Sequence, residues 1–243
     1  YMYVPMTSAI IVQKLIYRAP LKKPLRIAFR PNRWFLVAWV LPVLLALATL
    51  GLSLLFPGVT LSPSKKDLFE DFLLTPDRLG IHTHQFGVGF CLALLQGLVT
   101  GITFIGILSF GEEVGWRGFL QRELSPLGFW KASVSIGLIW GFWNAPLIVR
   151  GLNYPLHPWA GVFMMTAMTA LLAPLLGYIT IKADSVVAAA LFMGTFNGAA
   201  AVLATYGVQG GNELLIGVSG LAGLIVLLIA NVGLAVFDKE TTR

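Results

Sequence analysis

Two adjacent carboxylates, Glu112 and Glu113, stand in the run Gly111-Glu112-Glu113-Val114-Gly115-Trp116-Arg117, where a long apolar stretch ends. Glu113 and Arg117 are four residues apart, so on a helix they share a face and can form an ion pair. Glu112 is rotated by about 100° and falls over Trp116 instead. One carboxylate can therefore be held by the arginine while its neighbour faces a cavity and moves protons. The competing reading is an interfacial Glu–Arg pair that only anchors a helix end. Two glutamates with an arginine, set among glycines and a tryptophan, favour chemistry over anchoring.

Two amides interrupt later apolar runs. Asn144 lies in Trp140-Gly141-Phe142-Trp143-Asn144-Ala145-Pro146, and Asn197 closes Leu191-Phe192-Met193-Gly194-Thr195-Phe196-Asn197, with Met193 one turn before it on the same face. An asparagine in a membrane helix serves as an interhelical hydrogen-bonding group or as a donor in a site. Taken alone, the first is the commoner role, and a lone methionine is core filler. His82, His84 and His157 fall in predicted loops. His82 and His84 alternate, a spacing that permits two-residue metal binding, but solvated loop residues are the first reading. Cys91 is the single cysteine, so no internal disulfide can form.

These groups need elements to hold them, and composition says what kind. The chain has 243 residues, 57% hydrophobic and only 12% charged, with a mean hydropathy of +0.81. A water-soluble domain with so little charge could not cover its own surface, so the excess apolar surface calls for lipid. Disorder, a collagen-like repeat, a disulfide scaffold and a coiled coil are excluded by the same arithmetic. Six nearly charge-free stretches are long enough to span a bilayer: Trp34–Phe56, Gln85–Phe110, Ala132–Val149, Trp159–Ile181, Ser185–Tyr206 and Leu214–Phe237. Backbone groups in lipid must pair within their own segment, and these runs do not alternate as barrel strands do, so they read as helices. The predicted fold class is all-α: a polytopic integral membrane helical bundle of about six transmembrane helices plus an N-terminal interfacial helix.

Three parts follow: a basic amphipathic segment 1–33, a membrane-embedded core 34–237, and a short polar tail 238–243. Within the first, Ser8–Tyr17 sets Ile10, Ile11, Leu15 and Ile16 beside Lys14 and Arg18, as an interfacial helix does. No apolar core followed by a cleavage site marks a signal peptide. The chain begins with Tyr1, which leaves room for an upstream segment. Residues 57–84, rich in proline and mixed charge, form the one long external loop.

The formal charge is +6, with Lys14, Arg18, Lys22, Lys23, Arg26, Arg30 and Arg33 ahead of the first span. No aromatic-interleaved basic face or glycine-rich phosphate loop accompanies them, so nucleic acid is not the expected partner. If this segment is cytoplasmic, six crossings place Arg117, Arg122, Lys131, Lys182, Lys239 and Arg243 on the same side. Only Lys65, Lys66, Arg78 and Arg150 face the other, a consistent positive-inside assignment with both termini cytoplasmic. A compact core with no appended soluble domain suits a prokaryotic cell membrane.

With these residues assembled, Glu112-Glu113-Val114-Gly115-Trp116-Arg117-Gly118-Phe119-Leu120 resembles the Glu-Glu-x-x-x-Arg signature of the CPBP intramembrane proteases, also called ABI or type II CAAX prenyl endopeptidases. The resemblance extends to the Trp140–Pro146 segment, the Asn153-Tyr154-Pro155 turn and the Ser185–Asn197 helix, in matching order. It implies a helical membrane core around a polar cavity, where a glutamate of the first motif activates water. Histidines of the second and third motifs would position that water or bind a metal, and an asparagine would assist the oxyanion. Implied partners are the bilayer and membrane-associated or lipid-modified peptides, with a protein partner for scaffold-like or bacteriocin-immunity members.

Carried over residue by residue, Glu112, Glu113, Arg117 and Asn197 match the family's catalytic positions. Asn144 stands where the aromatic-x-x-x-His motif has histidine, and Met193 where the His-x-x-x-Asn motif has it. Asparagine neither titrates nor binds zinc well, and a thioether suits neither a hard nor a borderline cation. A divalent metal such as zinc is thus possible but disfavoured, and the sequence points to no other cofactor. Losing general acid–base help costs about 10²–10⁴-fold in rate. The sequence therefore predicts an attenuated Glu-dependent endopeptidase, with a catalytically silent scaffold or immunity-type relative as the alternative. A transporter is the weakest class, because no inverted repeat is evident.

Overall fold

The computed structural model describes residues 1–61, 86–206 and 208–239. His82, His84, Lys65, Lys66, Arg78 and Arg243, and the external loop beyond position 61, lie outside the described residues.

The chain is an all-helical membrane bundle. It opens with α1 (Val4–Ile11), which runs straight into a π-helical turn, Val12–Ile16. The helix starts earlier than the expected Ser8. It buries Pro5, Ala9 and Gln13, a four-residue repeat, and leaves Ile11, Leu15 and Ile16 exposed. α2 (Arg33–Ser53) follows, capped by Asn32, whose side chain accepts from Trp34 N–H and donates to the carbonyl of Ala183. That amide ties the start of α2 to the end of α7 (Pro158–Ala183).

The second predicted span is two helices: α3 (Phe86–Ile102) and α4 (Phe104–Glu113) meet at Thr103 with a bend of 45°. The sequence reads the Glu pair as the end of this run, but the helix does not stop there. The helical path continues through a π-helical segment, Val114–Leu120, into α5 (Gln121–Leu124). α6 (Phe129–Ile148), α7, α8 (Val186–Tyr206) and α9 (Leu221–Phe237) complete the bundle. The last begins seven residues after the predicted Leu214, because Leu214–Gly220 is spent on a turn in which Leu221 N–H reaches the Leu214 carbonyl. Among the described residues, α2, α7 and Val186–Leu203 of α8 are long and apolar enough to cross a membrane, and the bent α3–α4 pair makes a fourth.

α7 and α8 form the centre, with Leu172, Leu176, Ile179 and Phe192 among its sealed side chains. Close backbone approach builds the contacts around them. Gly97 and Gly101 of α3 cross Gly198 and Gly194 of α8, both pairs at the small-xxx-small spacing that lets membrane helices touch. Gly137 and Gly141 of α6 lie against Ala170 and Thr166 of α7, where Thr169 Oγ1 donates to the Gly137 carbonyl at 2.8 Å. Among the described residues the strand content is one two-residue ladder, Thr60–Leu61 antiparallel to Val208–Gln209.

The two ends of the bundle differ. At one, the 18–32 segment packs on the junction of α7 and α8: Val186 N–H bonds the Arg26 carbonyl, and Ser185 Oγ donates to the Ala28 carbonyl. At the other, Glu213 Oε1 accepts from the N–H groups of Leu156 and His157, and Tyr154 donates to the Ser219 carbonyl at 2.6 Å.

Candidate functional site

The Glu pair is enclosed where α4 passes into the π-helical segment. Glu113 has no exposed surface, Glu112 keeps 5%, and Arg117 keeps 2%. Arg117 Nη1 donates to Glu113 Oε1 at 3.2 Å, as the four-residue spacing allows. The pair uses one contact: Glu113 Oε2 and Arg117 Nη2 have no hydrogen-bond partner among the described residues. A buried charge is tolerable only when paired, and each of these side chains is the other's counter-charge. The sequence reads Arg117 as a loop cation; it is a core residue and drops out of the positive-inside distribution.

Glu112 points away from that pair, as the helical offset requires. The Trp140 indole lies within hydrogen-bonding reach of its carboxylate. The same ring lies under the Arg117 guanidinium, with Cζ 4.7 Å from the ring centroid. Trp140 thus touches both charged groups of the motif from α6, a role that sequence reasoning missed. The signal was present: Trp140 is the aromatic of the aromatic-x-x-x-His motif, four residues before Asn144.

The remaining candidates stand further off. Asn144 sits near the C-terminal end of α6, not at mid-span, and its Nδ2 donates to the Trp140 carbonyl of its own helix at 2.9 Å. Met193 is 6% exposed in the core that also contains Trp116 and Trp140. Gly194 faces Gly106, and Val186 approaches Gly118, so α8 runs antiparallel to the α4–α5 stretch. In that register Met193 lies beside the turn preceding Glu112. Asn197, half-buried, is one turn further away, level with the α3 crossing at Gly97–Gly101. Ser109 Oγ and Thr195 Oγ1, on the same two helices, are buried with no partner among the described residues.

The N-terminal segment lies across this site. Tyr1 stacks on Trp143 at 4.9 Å and its hydroxyl donates to the Trp143 carbonyl; Trp143 in turn meets Trp116 edge-on at 6.2 Å. Tyr3 Oη donates to the Ile107 carbonyl, and Pro5 packs against Gly115. Between α1 and the π-helical segment runs an apolar cleft of about 210 Å³, walled by Pro5, Ala9, Trp116, Phe119 and Trp143.

Residues 93–199 match the family described as type II CAAX prenyl endopeptidase Rce1-like. That range includes all six motif positions, from Glu112 to Asn197. Over this segment, somewhat less than half of the chain, the protein is similar to the CPBP family. No curated protein matches the chain. That similarity supports a CAAX-type, intramembrane protease-like function in general terms.

The donors around the motif decide whether a metal could be held there. Glu113 is engaged by Arg117, Asn144 offers an amide already bonded along its helix, and Met193 offers only a thioether. Among the described residues no three His, Cys, Asp or Glu side chains gather where they could share an ion. Zinc sites ordinarily supply three strong protein ligands, so this donor set does not fit one.

Proposed function

We propose that this protein is an intramembrane endopeptidase of the CPBP type in which Glu112 activates water, working slowly because two histidine positions are filled by Asn144 and Met193. The observation that carries the reading is the division of labour in the Glu pair. Glu113 is held by Arg117 at 3.2 Å, whereas Glu112 makes no ion pair among the described residues and keeps the small exposure of the two.

Glu112 takes a proton from water as the oxygen attacks the scissile carbonyl carbon. The tetrahedral intermediate then collapses, and the protonated Glu112 returns that proton to the departing amide nitrogen. Oxyanion stabilisation falls to amide donors, for which Asn144 retains a second N–H and Asn197 makes no bond among the described residues. Trp140 is a positioning residue, aiming the carboxylate. The substrates are prenylated or unprenylated membrane-associated peptides. The basic end faces the cytoplasm of a prokaryotic cell.

The decisive measurement incubates purified protein in liposomes with a mixed prenylated and unprenylated peptide library. Cleavage that disappears in Glu112→Ala is expected. Equal, background-level cleavage in both defeats the endopeptidase reading and leaves the silent alternative. That alternative is favoured by one observation: neither Asn144 nor Met193 can relay a proton.

A further inference from the structure

We propose that the segment from Lys14 to Arg33 is a docking surface for the anionic headgroups of phospholipids. The inference is independent of the chemistry at Glu112.

The segment is a built platform. Leu25 is completely buried against Gly118 and Val186, and Gln13 is 1% exposed. Gln13 Nε2 donates to the Pro20 carbonyl at 3.0 Å, while its Oε1 accepts from Arg122 Nη2 at 2.9 Å. Left-handed turns at Arg18 and Arg26 fold the chain back on itself, and Arg26 Nη1 reaches the Thr180 carbonyl at 3.4 Å. The path is thereby pinned to the level where α7 ends and α2 and α8 begin.

Its charge is one-sided. Three carboxylates of this end are each already engaged. Glu123 pairs with Arg122 at 2.7 Å and accepts from the Tyr17 hydroxyl. Asp184 faces Arg26 at 3.7 Å, and Asp238 holds Lys182 at 2.6 Å and the Tyr178 hydroxyl. Lys14, Arg18, Lys22, Lys23, Arg30 and Arg33 are exposed and have no carboxylate within ion-pair distance among the described residues.

Apolar side chains interleave with these cations. Leu15, Ile16 and Phe29 are 70%, 67% and 71% exposed, beside a half-exposed Tyr17. A soluble polyanion would leave those side chains in water. A lipid surface buries them below the headgroups while phosphates meet the cations above, the arrangement of interfacial amphipathic segments.

The test uses the whole chain in neutral detergent, offered equimolar phosphatidylglycerol and phosphatidylcholine of matched acyl length, with bound lipid counted by native mass spectrometry. Phosphatidylglycerol should be retained about tenfold or more over phosphatidylcholine. Each cation near a charged surface contributes about fivefold. Lys14→Gln, Arg18→Gln, Lys22→Gln and Lys23→Gln together should therefore cut the preference by about tenfold or more. The pair Lys22→Gln and Lys23→Gln, both exposed, provides the same reading should the quadruple variant misfold. Equal retention of the two lipids overturns the proposal, as does a preference that survives these substitutions. Competition by free glycerol phosphate as strong as that of the lipid also overturns it, since the site would then be one for a soluble phosphate.

Discussion

Arg117 and Glu113 meet at 3.2 Å with 1% and 0% of their side chains exposed, so neither charge has solvent to fall back on. Removing one partner strands the other. Arg117→Met should cost about 3–5 kcal/mol of stability. The double variant Arg117→Met, Glu113→Leu should recover most of that loss, since apolar replacement of a whole buried pair is often neutral. Denaturant unfolding of the two singles and the double in detergent gives the coupling; additive losses would show that the pair is not a unit.

Trp140 touches both halves of the motif, and its two contacts can be separated. Trp140→Phe keeps a ring under Arg117 but removes the donor to Glu112. Stability should fall by only about 1 kcal/mol, while peptide cleavage should fall at least tenfold with KM little changed. Trp140→Ala should additionally lose about 3–5 kcal/mol from the core. Cleavage by Trp140→Phe at the parent rate would show that the indole N–H does not aim Glu112.

Reinstating imidazole at the two family positions tests the origin of attenuation. Asn144→His with Met193→His should raise cleavage by about 10²–10⁴-fold, the usual worth of general acid–base help. A double variant that remains folded, by circular dichroism, with no gain in rate would mean that the surroundings of the motif have diverged as well.

The glycine crossing of α3, α4 and α8 leaves no room for a side chain. A Cβ at Gly194 would collide with the Gly101 carbonyl and lie 2.8 Å from Gly106 Cα. Gly194→Val should therefore destabilise by about 1–3 kcal/mol or more and loosen the hold on Glu112. Gly51 of α2 has nothing within 4 Å of an added Cβ. Gly51→Ala should be neutral or stabilising by up to about 1 kcal/mol. Thermal unfolding of the two in the same detergent checks the contrast.

The loop at the opposite end carries a pH signature. Burial pushes the Tyr154 hydroxyl up to about 12, and the Glu213 carboxylate nearby acts in the same direction. The folded state therefore holds this proton more tightly than the unfolded chain, whose tyrosine titrates near about 10. The associated stability, of order 2 kcal/mol, is complete below about pH 10 and is lost as pH rises through about 12. Tyr154→Phe should lower stability by about 1 kcal/mol at neutral pH and flatten the alkaline decline, as followed by unfolding between pH 8 and pH 12. An alkaline decline identical to the parent's would assign it to other groups.

The all-helical membrane class was legible from composition because charge was too scarce to cover a water-facing surface, and lipid demands backbone pairing within each segment. The Glu113–Arg117 contact was equally legible, since a four-residue spacing puts two side chains on one face of any helix. Where helices break or begin was not. Thr103 is an unremarkable residue inside an apolar run, and its bend lies between Gly101 and Gly106, which both pack on Gly194, a residue about ninety positions away. The burial of Arg117 escaped notice for a similar reason: at the end of an apolar run an arginine reads as a loop cation, and only packing by α6 seals it inside.

What the sequence determined by itself was local and periodic: the helical class, the ion pair, the departures Asn144 and Met193, and the basic entry segment. The tertiary structure decided which groups from different helices share a site. It brought Trp140 to both Glu112 and Arg117, left Asn197 a turn beyond Met193, and folded Lys14 to Arg33 onto the ends of three helices. One-dimensional spacing fixes the face a side chain presents, whereas its partner depends on how closely two backbones approach, and here glycines on separate helices set that distance.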